Sequence, residues 1–369
     1  MLFVFPCFNL LKPAFVCNFK TARIKVCMKK RPIGIREIAQ MLNISVSTVS
    51  RALRDAWDVN PETRRKVLEV AGQLNYRPNR NAAALASGNT RNIGVVIPFI
   101  TNYYFSTVIS GIQEVAYGNN YNIILLITND DPERELKMIS SIPVTSLDGL
   151  LISISSGSVN SGHFKELAEE GIPVVFFDKV PSDIEATKVL QDDFAGAYTA
   201  TVHLIEQGYR HIAHIAGPEH LSFTQKRLQG YLEALRHHCL PVRDEWILYS
   251  GFSQQCGTDD MNRLSDLHQA PDAVFAVNDR KAVGAIIALK ERQIIVGKDI
   301  GVIGFTNDPI ATIIEPSLTT IEEPAYEIGR KSCELLIKHM INKNLLPREI
   351  ILPGTLIVRN STKRHSGSK

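Results

Sequence analysis

The chain has 369 residues, 44% hydrophobic and 21% charged, the composition of an ordinary globular protein of two or three domains. That composition excludes a disordered chain, a coiled-coil rod and a multi-span membrane protein. The net charge of +3 hides an asymmetry: residues 1–27 hold four basic and no acidic side chains, residues 28–91 twelve and five, and residues 92–369 25 and 33. A basic block joined to an acidic body is the electrostatic footprint of a nucleic-acid-binding module.

Residues 1–27 hold five of the fifteen phenylalanines, Phe3, Phe5, Phe8, Phe15 and Phe19. Lys12 and Pro13 interrupt the apolar run and no small-residue cleavage site follows, so neither a secretory signal nor a membrane span is expected. This stretch is expected to be an extension outside the folded protein, with Met28 beginning the functional chain; a weakly membrane-associating segment is the alternative. Cys7, Cys17 and Cys27 crowd into it, while Cys239, Cys256 and Cys333 lie scattered. Their spacing offers neither a disulfide framework nor a zinc site, which points to a reducing cytosol and to no metal or other cofactor.

From Ile35 to Leu42 the apolar residues Ile35, Ile38, Ala39 and Leu42 follow the spacing of an amphipathic helix. Asn43 and Ile44 make a tight break, and Ser45 is a good N-cap for a second helix with Val49, Ala52 and Leu53 inward. Val46, Ser47, Ser50, Arg51 and Arg54 then face outward. Asn60-Pro61 opens a third helix with the stripe Val67, Val70, Ala71 and Leu74. Two helices joined by a tight turn, closed by a third, form a helix-turn-helix. Its second helix fits the major groove of DNA, where Arg51 can bond guanine with its fork and Val46 can touch a thymine methyl. The plainer alternative is a solvated basic surface.

Next comes Tyr76-Arg77-Pro78-Asn79-Arg80-Asn81-Ala82-Ala83-Ala84-Leu85-Ala86-Ser87-Gly88. Asn79 can cap a helix that Gly88 ends, but one this short is not expected to be stable alone in water. Leu85 has no core to enter and suits insertion between base steps in a minor groove. A flexible linker with an incidental leucine is the alternative.

The segments IREIAQMLNISVSTVSRALRD, LNYRPNRNAAALASG and IGVVIPFITNYYF together resemble the LacI/GalR-type bacterial transcriptional regulators, from about Arg31 to Arg359. The resemblance implies a small all-α helix-turn-helix headpiece plus an α/β periplasmic-binding-protein-like (type I) effector domain with two parallel-sheet subdomains. It places the headpiece at residues 28–75, a hinge helix and linker at 76–91, a two-lobed effector-binding and dimerisation domain at 92–359, and a polar tail at 360–369. In such proteins the hinge orders on operator DNA and its leucine opens the minor groove. Those roles would fall on Val46, Ser47, Ser50, Arg51, Arg54, Asn79 and Leu85.

After Arg91 the runs IGVVIPF, NIILLIT, DGLLISI, IPVVFFD, HIAHIAG, AVFAVND and IGVIGF alternate with helical stretches, which implies parallel sheets covered on both faces. By the resemblance, the first lobe spans Asn92–Gln207 plus Pro324–Leu352 and the second Gly208–Glu323 plus Pro353–Arg359, joined by three crossings. Ligands of such sheets sit beyond the carboxyl ends of strands, where Asp279 and Arg227 are expected to face each other as a clamp for hydroxyls or a charged group. Tyr104, Phe105 and Phe194 could supply stacking faces, and all five match positions that commonly line the effector site in the family. The plainer readings are core packing for the aromatics, a helix N-cap for Asp279 and a surface arginine for Arg227.

No nucleotide-binding, nucleophile-elbow or zinc-protease motif is present, which argues against an enzyme. A periplasmic-type sugar-binding protein without regulatory role fits the body alone. The sequons Asn43-Ile44-Ser45 and Asn360-Ser361-Thr362 carry no assigned meaning. The function expected is a cytoplasmic, effector-responsive transcriptional regulator, a repressor by default, of a carbohydrate or related pathway. It would bind a pseudo-palindromic operator as a homodimer, with no membrane partner. The tail has no leucine heptad to build a higher oligomer.

Overall fold

The computed structural model describes residues 34–76, 89–143, 146–158, 162–181, 183–342 and 344–364. It divides into two units, Met1–Asn79 and Arg80–Lys369.

In the first unit α1 (Ile35–Leu42) ends at Asn43, whose φ of 50° is left-handed and whose N–H donates to the Ala39 and Gln40 carbonyls. Asparagine tolerates that conformation, so the chain turns sharply without glycine. The Ser45 hydroxyl then accepts the Thr48 N–H at 3.0 Å and starts α2 (Val46–Leu53). Asn60 caps α3 (Pro61–Gln73) through the Glu62 N–H. Ile38, Ala39, Val49, Ala52, Val67 and Ala71 form the core, with Leu53, Val70 and Leu74 half-buried at its rim.

The second unit holds two six-stranded sheets. Strands β1 (Asn92–Ile97), β2 (Asn122–Ile127), β3 (Gly149–Ile152), β4 (Val174–Phe177), β5 (Thr187–Gln191) and β11 (Glu349–Leu352) make the first, in the order β11-β5-β4-β3-β1-β2, parallel throughout. The second has the order β12-β10-β9-β8-β6-β7, from β6 (Ile212–Ala216), β7 (Ile247–Tyr249), β8 (Ala273–Ala276), β9 (Gly301–Thr306), β10 (Thr319–Glu322) and β12 (Thr355–Ile357). Only β12 runs antiparallel, on the edge against β10. The seven apolar runs supplied β1–β4, β6, β8 and β9. Strands β5, β7, β10, β11 and β12 were missed because they are only three to five residues long, and β5 and β10 are at least half polar, as in Thr-Thr-Ile-Glu.

Glycines let helices pack backbone to backbone in both lobes. In the first, α4 (Tyr103–Gly118) meets α12 (Ala325–Ile341): a Cβ on Gly111 would lie 2.1 Å from the Tyr326 carbonyl, and one on Gly329 2.1 Å from that of Val108. In the second, α9 (Gln254–Ser265) meets α10 (Asp279–Glu291) through Gly257 and Gly284 in the same way. Glycine is required at these four positions because backbone touches backbone. The remaining helices are α5 (Pro132–Ser140), α6 (Gly162–Glu169), α7 (Asp193–Glu206), α8 (Ser222–His237) and the short α11 (Ile310–Ile313).

Two expected boundaries move. The first lobe was to run to Gln207, but α7 packs on α8, and Ala197, Ala200 and Leu204 share a core with Tyr209, Phe275, Phe305 and Ile321. The first crossing therefore lies between β5 and α7, and α7 belongs to the second lobe. The other two crossings follow β10 and separate β11 from β12. The tail was to begin at Asn360, yet Ser361 and Thr362 are buried: Ser361 Oγ accepts from the Thr319 N–H and donates to the Val302 carbonyl. Their polarity is that of satisfied core hydroxyls.

Candidate DNA-binding surface and effector cleft

Helix α2 turns Val49 and Ala52 inward, which fixes the opposite face outward. Val46 is 42% exposed, Ser47 shares a 2.7 Å hydrogen bond with Ser45, and Arg54 donates to the Ser50 hydroxyl at 2.9 Å. Arg51 is half exposed and ion-paired with Asp58 on the loop before α3. Its guanidinium is thus oriented rather than free, and an exposed pair of this kind exchanges at little cost. Asn79 and Leu85 lie outside the described residues.

In the second unit the site is built where strands end. Arg227 of α8 is 5% exposed. Its Nε donates to Asp193 at 2.8 Å, its Nη2 to Glu323 at 2.7 Å and its Nη1 to the Val277 carbonyl at 2.6 Å, while its plane lies 3.6 Å from the Phe305 ring centre. Asp193 opens α7 at the first crossing and Glu323 follows β10 at the second, so the guanidinium ties the cleft to two hinge strands. Burial alone would lower the Arg227 pKa, but the Asp193 and Glu323 carboxylates overcome that and hold it up. Burial raises both carboxyls against the pull of Arg227, Glu323 to about 7.

From the first lobe, Tyr104 and Asp178 couple electrostatically to this group. Burial pushes the Tyr104 hydroxyl well up, and Asp178, Glu323 and Asp193 push it further. Asp178 follows β4, accepts from the Ser153 hydroxyl at 3.0 Å and is raised to about 6, by burial first. Neighbouring Lys179 turns away to Asp130 and Ser156. Among the described residues, two bonds cross between the lobes, from Arg280 to the Thr101 carbonyl at 3.3 Å and between His220 Nε2 and the Ser156 carbonyl at 2.8 Å.

Of the expected residues, Tyr104 is electrostatically coupled to Arg227 and Phe105 packs on Tyr104, while Phe194 and Asp279 engage other partners. Phe105 is 3% exposed in the first-lobe core, edge-on to Tyr104. Phe194 is 41% exposed and stacks on Tyr198. Asp279 does not clamp against Arg227, whose acidic partners are Asp193 and Glu323. It is 1% exposed, accepts from the Thr320 hydroxyl at 2.6 Å and the Asp308 N–H at 2.7 Å, and burial raises it to about 6. Nor is it the N-cap, a role filled by Asn278. Asp178, Asp193 and Glu323 went unnoticed as site residues, although each closely follows a strand. Among the described residues no three His, Cys, Asp or Glu are arranged to hold a metal, and no helix is long and apolar enough to cross a membrane.

The family model of bacterial regulatory proteins of the lacI family matches residues 34–79, and that of the periplasmic binding protein-like domain matches residues 201–362. Catabolite control protein A of Priestia megaterium is 34% identical over 333 residues, 90% of this chain and 99% of that protein. This chain belongs to the lacI family of bacterial regulatory proteins. Among solved structures, a transcriptional regulator CelR–cellobiose complex is 26% identical with a TM-score of 0.67, covering 89% of this chain and 99% of that one. The lac repressor dimer bound to operator and the anti-inducer ONPF shares the fold at 23% identity, with a TM-score of 0.80 and coverage of 90% and 99%. The chain is a DNA-binding transcriptional regulator, neither an enzyme nor a transport protein.

Proposed function

We propose that this lacI-family regulator binds a small polyhydroxy effector, a sugar or sugar derivative, in the cleft around Arg227, and that occupancy sets its grip on operator DNA. The observation that carries this reading is the Arg227 network, which joins the strand ends of the second lobe to two chain crossings through Asp193 and Glu323. A ligand that competes for those carboxylates acts directly on the segments that hold the lobes, so it binds open and closed states unequally, as any switch requires. The cellobiose named with the CelR complex supports a sugar. Tyr104 supplies an edge and a hydroxyl, and Phe194 an exposed face. Phe105 positions Tyr104, and Asp279 acts from within the second lobe by holding the Asp308 backbone and β10.

On the DNA side, Val46, Ser47 and Arg51 read bases, Ser50 and Arg54 support the same face, and Asn79 and Leu85 act from the hinge. The protein works as a homodimer on a pseudo-palindromic operator in the cytoplasm, as a repressor. Paired titrations test this: effector by calorimetry and operator by fluorescence anisotropy, on wild type and Phe194→Ala, a change that strands no buried charge. The variant should weaken the effector response and keep basal operator affinity; equal effector response in both proteins rejects the cleft assignment. For the hinge, Leu85→Ala should reduce DNA bending in a circular-permutation gel shift, and an unchanged bend angle rejects the wedge.

A further inference from the structure

Trp57 is 96% exposed, the most open of the large apolar side chains among the described residues. It is not an isolated apolar spot. With Val59, Pro61 and Leu68, itself 48% exposed, it lines one groove whose rim carries Arg64 and Arg65. Asp55 and Glu69 border the same groove, but they pair with Arg64 and Arg65, and such exposed pairs exchange at little cost. The loop that carries Trp57 is fixed. Asp55 is left-handed at φ 61°, the Val59 N–H returns to the Ala56 carbonyl at 3.3 Å, and Asn60 caps the helix that follows. This loop is also tied to the DNA-reading helix. The Ala56 N–H donates to the Arg51 carbonyl at 3.0 Å, and Asp58 pairs with the Arg51 guanidinium. Both chain neighbours of Trp57 thus bond to Arg51, so the indole borders the face of α2 that carries it.

From this placement we infer that Trp57 is a further DNA contact, made to the sugar-phosphate backbone at the border of the surface that α2 presents. The inference rests on the reading of α2 as the helix that lies against DNA. The occupant follows from continuity with that surface and from charge, since residues 28–91 carry twelve basic and five acidic side chains. A deoxyribose is an apolar ring with a phosphate on either side. The groove meets it with an apolar floor for the sugar, two arginines at the rim for phosphates, and an indole N–H that can only donate. Ring against sugar and N–H to a phosphate oxygen use both ends of the side chain at once. A backbone contact fixes register and adds affinity without reading sequence, so Trp57 complements Arg51 rather than duplicating it.

The chain has two tryptophans, and the other, Trp246, is fully buried in the body. Acrylamide quenching of the full chain's tryptophan emission therefore reports on Trp57, with Trp57→Phe as the control. The probe is a random-sequence duplex of about 40 base pairs at about 50 mM salt, because a backbone contact needs no operator. Saturating duplex should shield the Trp57 emission from acrylamide. By fluorescence anisotropy Trp57→Ala should bind the duplex about tenfold more weakly, as loss of one hydrogen bond with its apolar packing predicts, and Trp57→Phe should recover part of that loss. The slope of log affinity against log salt should stay at the wild-type value in Trp57→Ala, since a neutral side chain releases no counterion, and should fall by about one in Arg64→Ala. The melting temperature of Trp57→Ala should not move, because the side chain buries almost nothing. Emission equally open to acrylamide with and without duplex, or unchanged affinity in Trp57→Ala, overturns the contact. Either result leaves α2 as the reading helix, which the operator selectivity of Arg51→Ala tests separately. Shielding that grows with protein concentration in the absence of DNA shows that a second copy covers Trp57, and it overturns the contact as well.

Discussion

The headpiece and the two-lobed body place their charges in opposite settings. In the headpiece the ion pairs Arg51–Asp58, Arg64–Asp55, Arg65–Glu69 and Lys66–Glu62 all lie on the surface, around a core of six small or medium side chains. In the body Arg227 is buried with Asp193 and Glu323, and Lys281 is fully buried, bonded to Asp260, Ser250 and the Ala216 carbonyl. Exposed pairs are worth little and break readily, which suits a surface whose arginines must turn to DNA. A buried pair cannot lose one member without stranding the other, so whatever displaces it moves the structure. The same residue types thus serve as exchangeable contacts in one unit and as a switch in the other.

The largest effect should come from Arg227→Ala, which strands two buried carboxylates and should cost about 3–5 kcal/mol in urea unfolding of the body. A loss below about 1 kcal/mol would place this network among surface pairs and dissolve the contrast. Next is the pH dependence at Asp279, whose carboxyl is raised from 3.8 to about 6. Its contribution is fully present below the unfolded value and is lost as pH rises through about 6, roughly 3 kcal/mol for a two-unit shift. Buried His214, lowered to about 3, works in the other sense, losing stability as pH falls below 6.5. The clean measurement is therefore the difference between wild type and Asp279→Asn across pH 4 to 7. That difference should slope with pH, and a flat one removes the assigned shift.

Arg51→Ala should cost about 1–3 kcal/mol per half-site on the cognate operator and relax preference at one base pair, with the melting point barely moved. Equal weakening on random DNA would make Arg51 a phosphate contact. Ser45→Ala removes the cap of α2 and should destabilise the headpiece by about 1 kcal/mol in thermal unfolding. Smallest of all, Glu62→Ala should shift headpiece stability by only a few tenths of a kcal/mol through loss of its exposed pair with Lys66. A cost matching that of Ser45→Ala would show that the headpiece's surface charges are not interchangeable.

How much was legible differs between the units for a physical reason. The three headpiece helices, their caps at Ser45 and Asn60 and their inward residues followed from spacing alone, because each signal is local: a 3.6-residue period, a hydroxyl or amide before it, a break after it. The strands built on continuous apolar runs, β1–β4, β6, β8 and β9, were equally plain, since burial on both faces favours unbroken Val and Ile. Edge strands such as β7 and β12 carry no such demand and were silent.

What the sequence could not decide is which distant polar groups meet. Nothing local in Asp193 or Glu323 shows that both reach Arg227, 34 and 96 residues away, or that Asp279 bonds Thr320 instead. Nor could spacing assign α7 to the second lobe, because its apolar face at Ala197, Ala200 and Leu204 would suit either sheet. Amphipathic periodicity determines that an element forms and which face it buries. The partner is chosen by the tertiary structure, where an isolated buried charge is so costly that each must find its counter-charge across the fold.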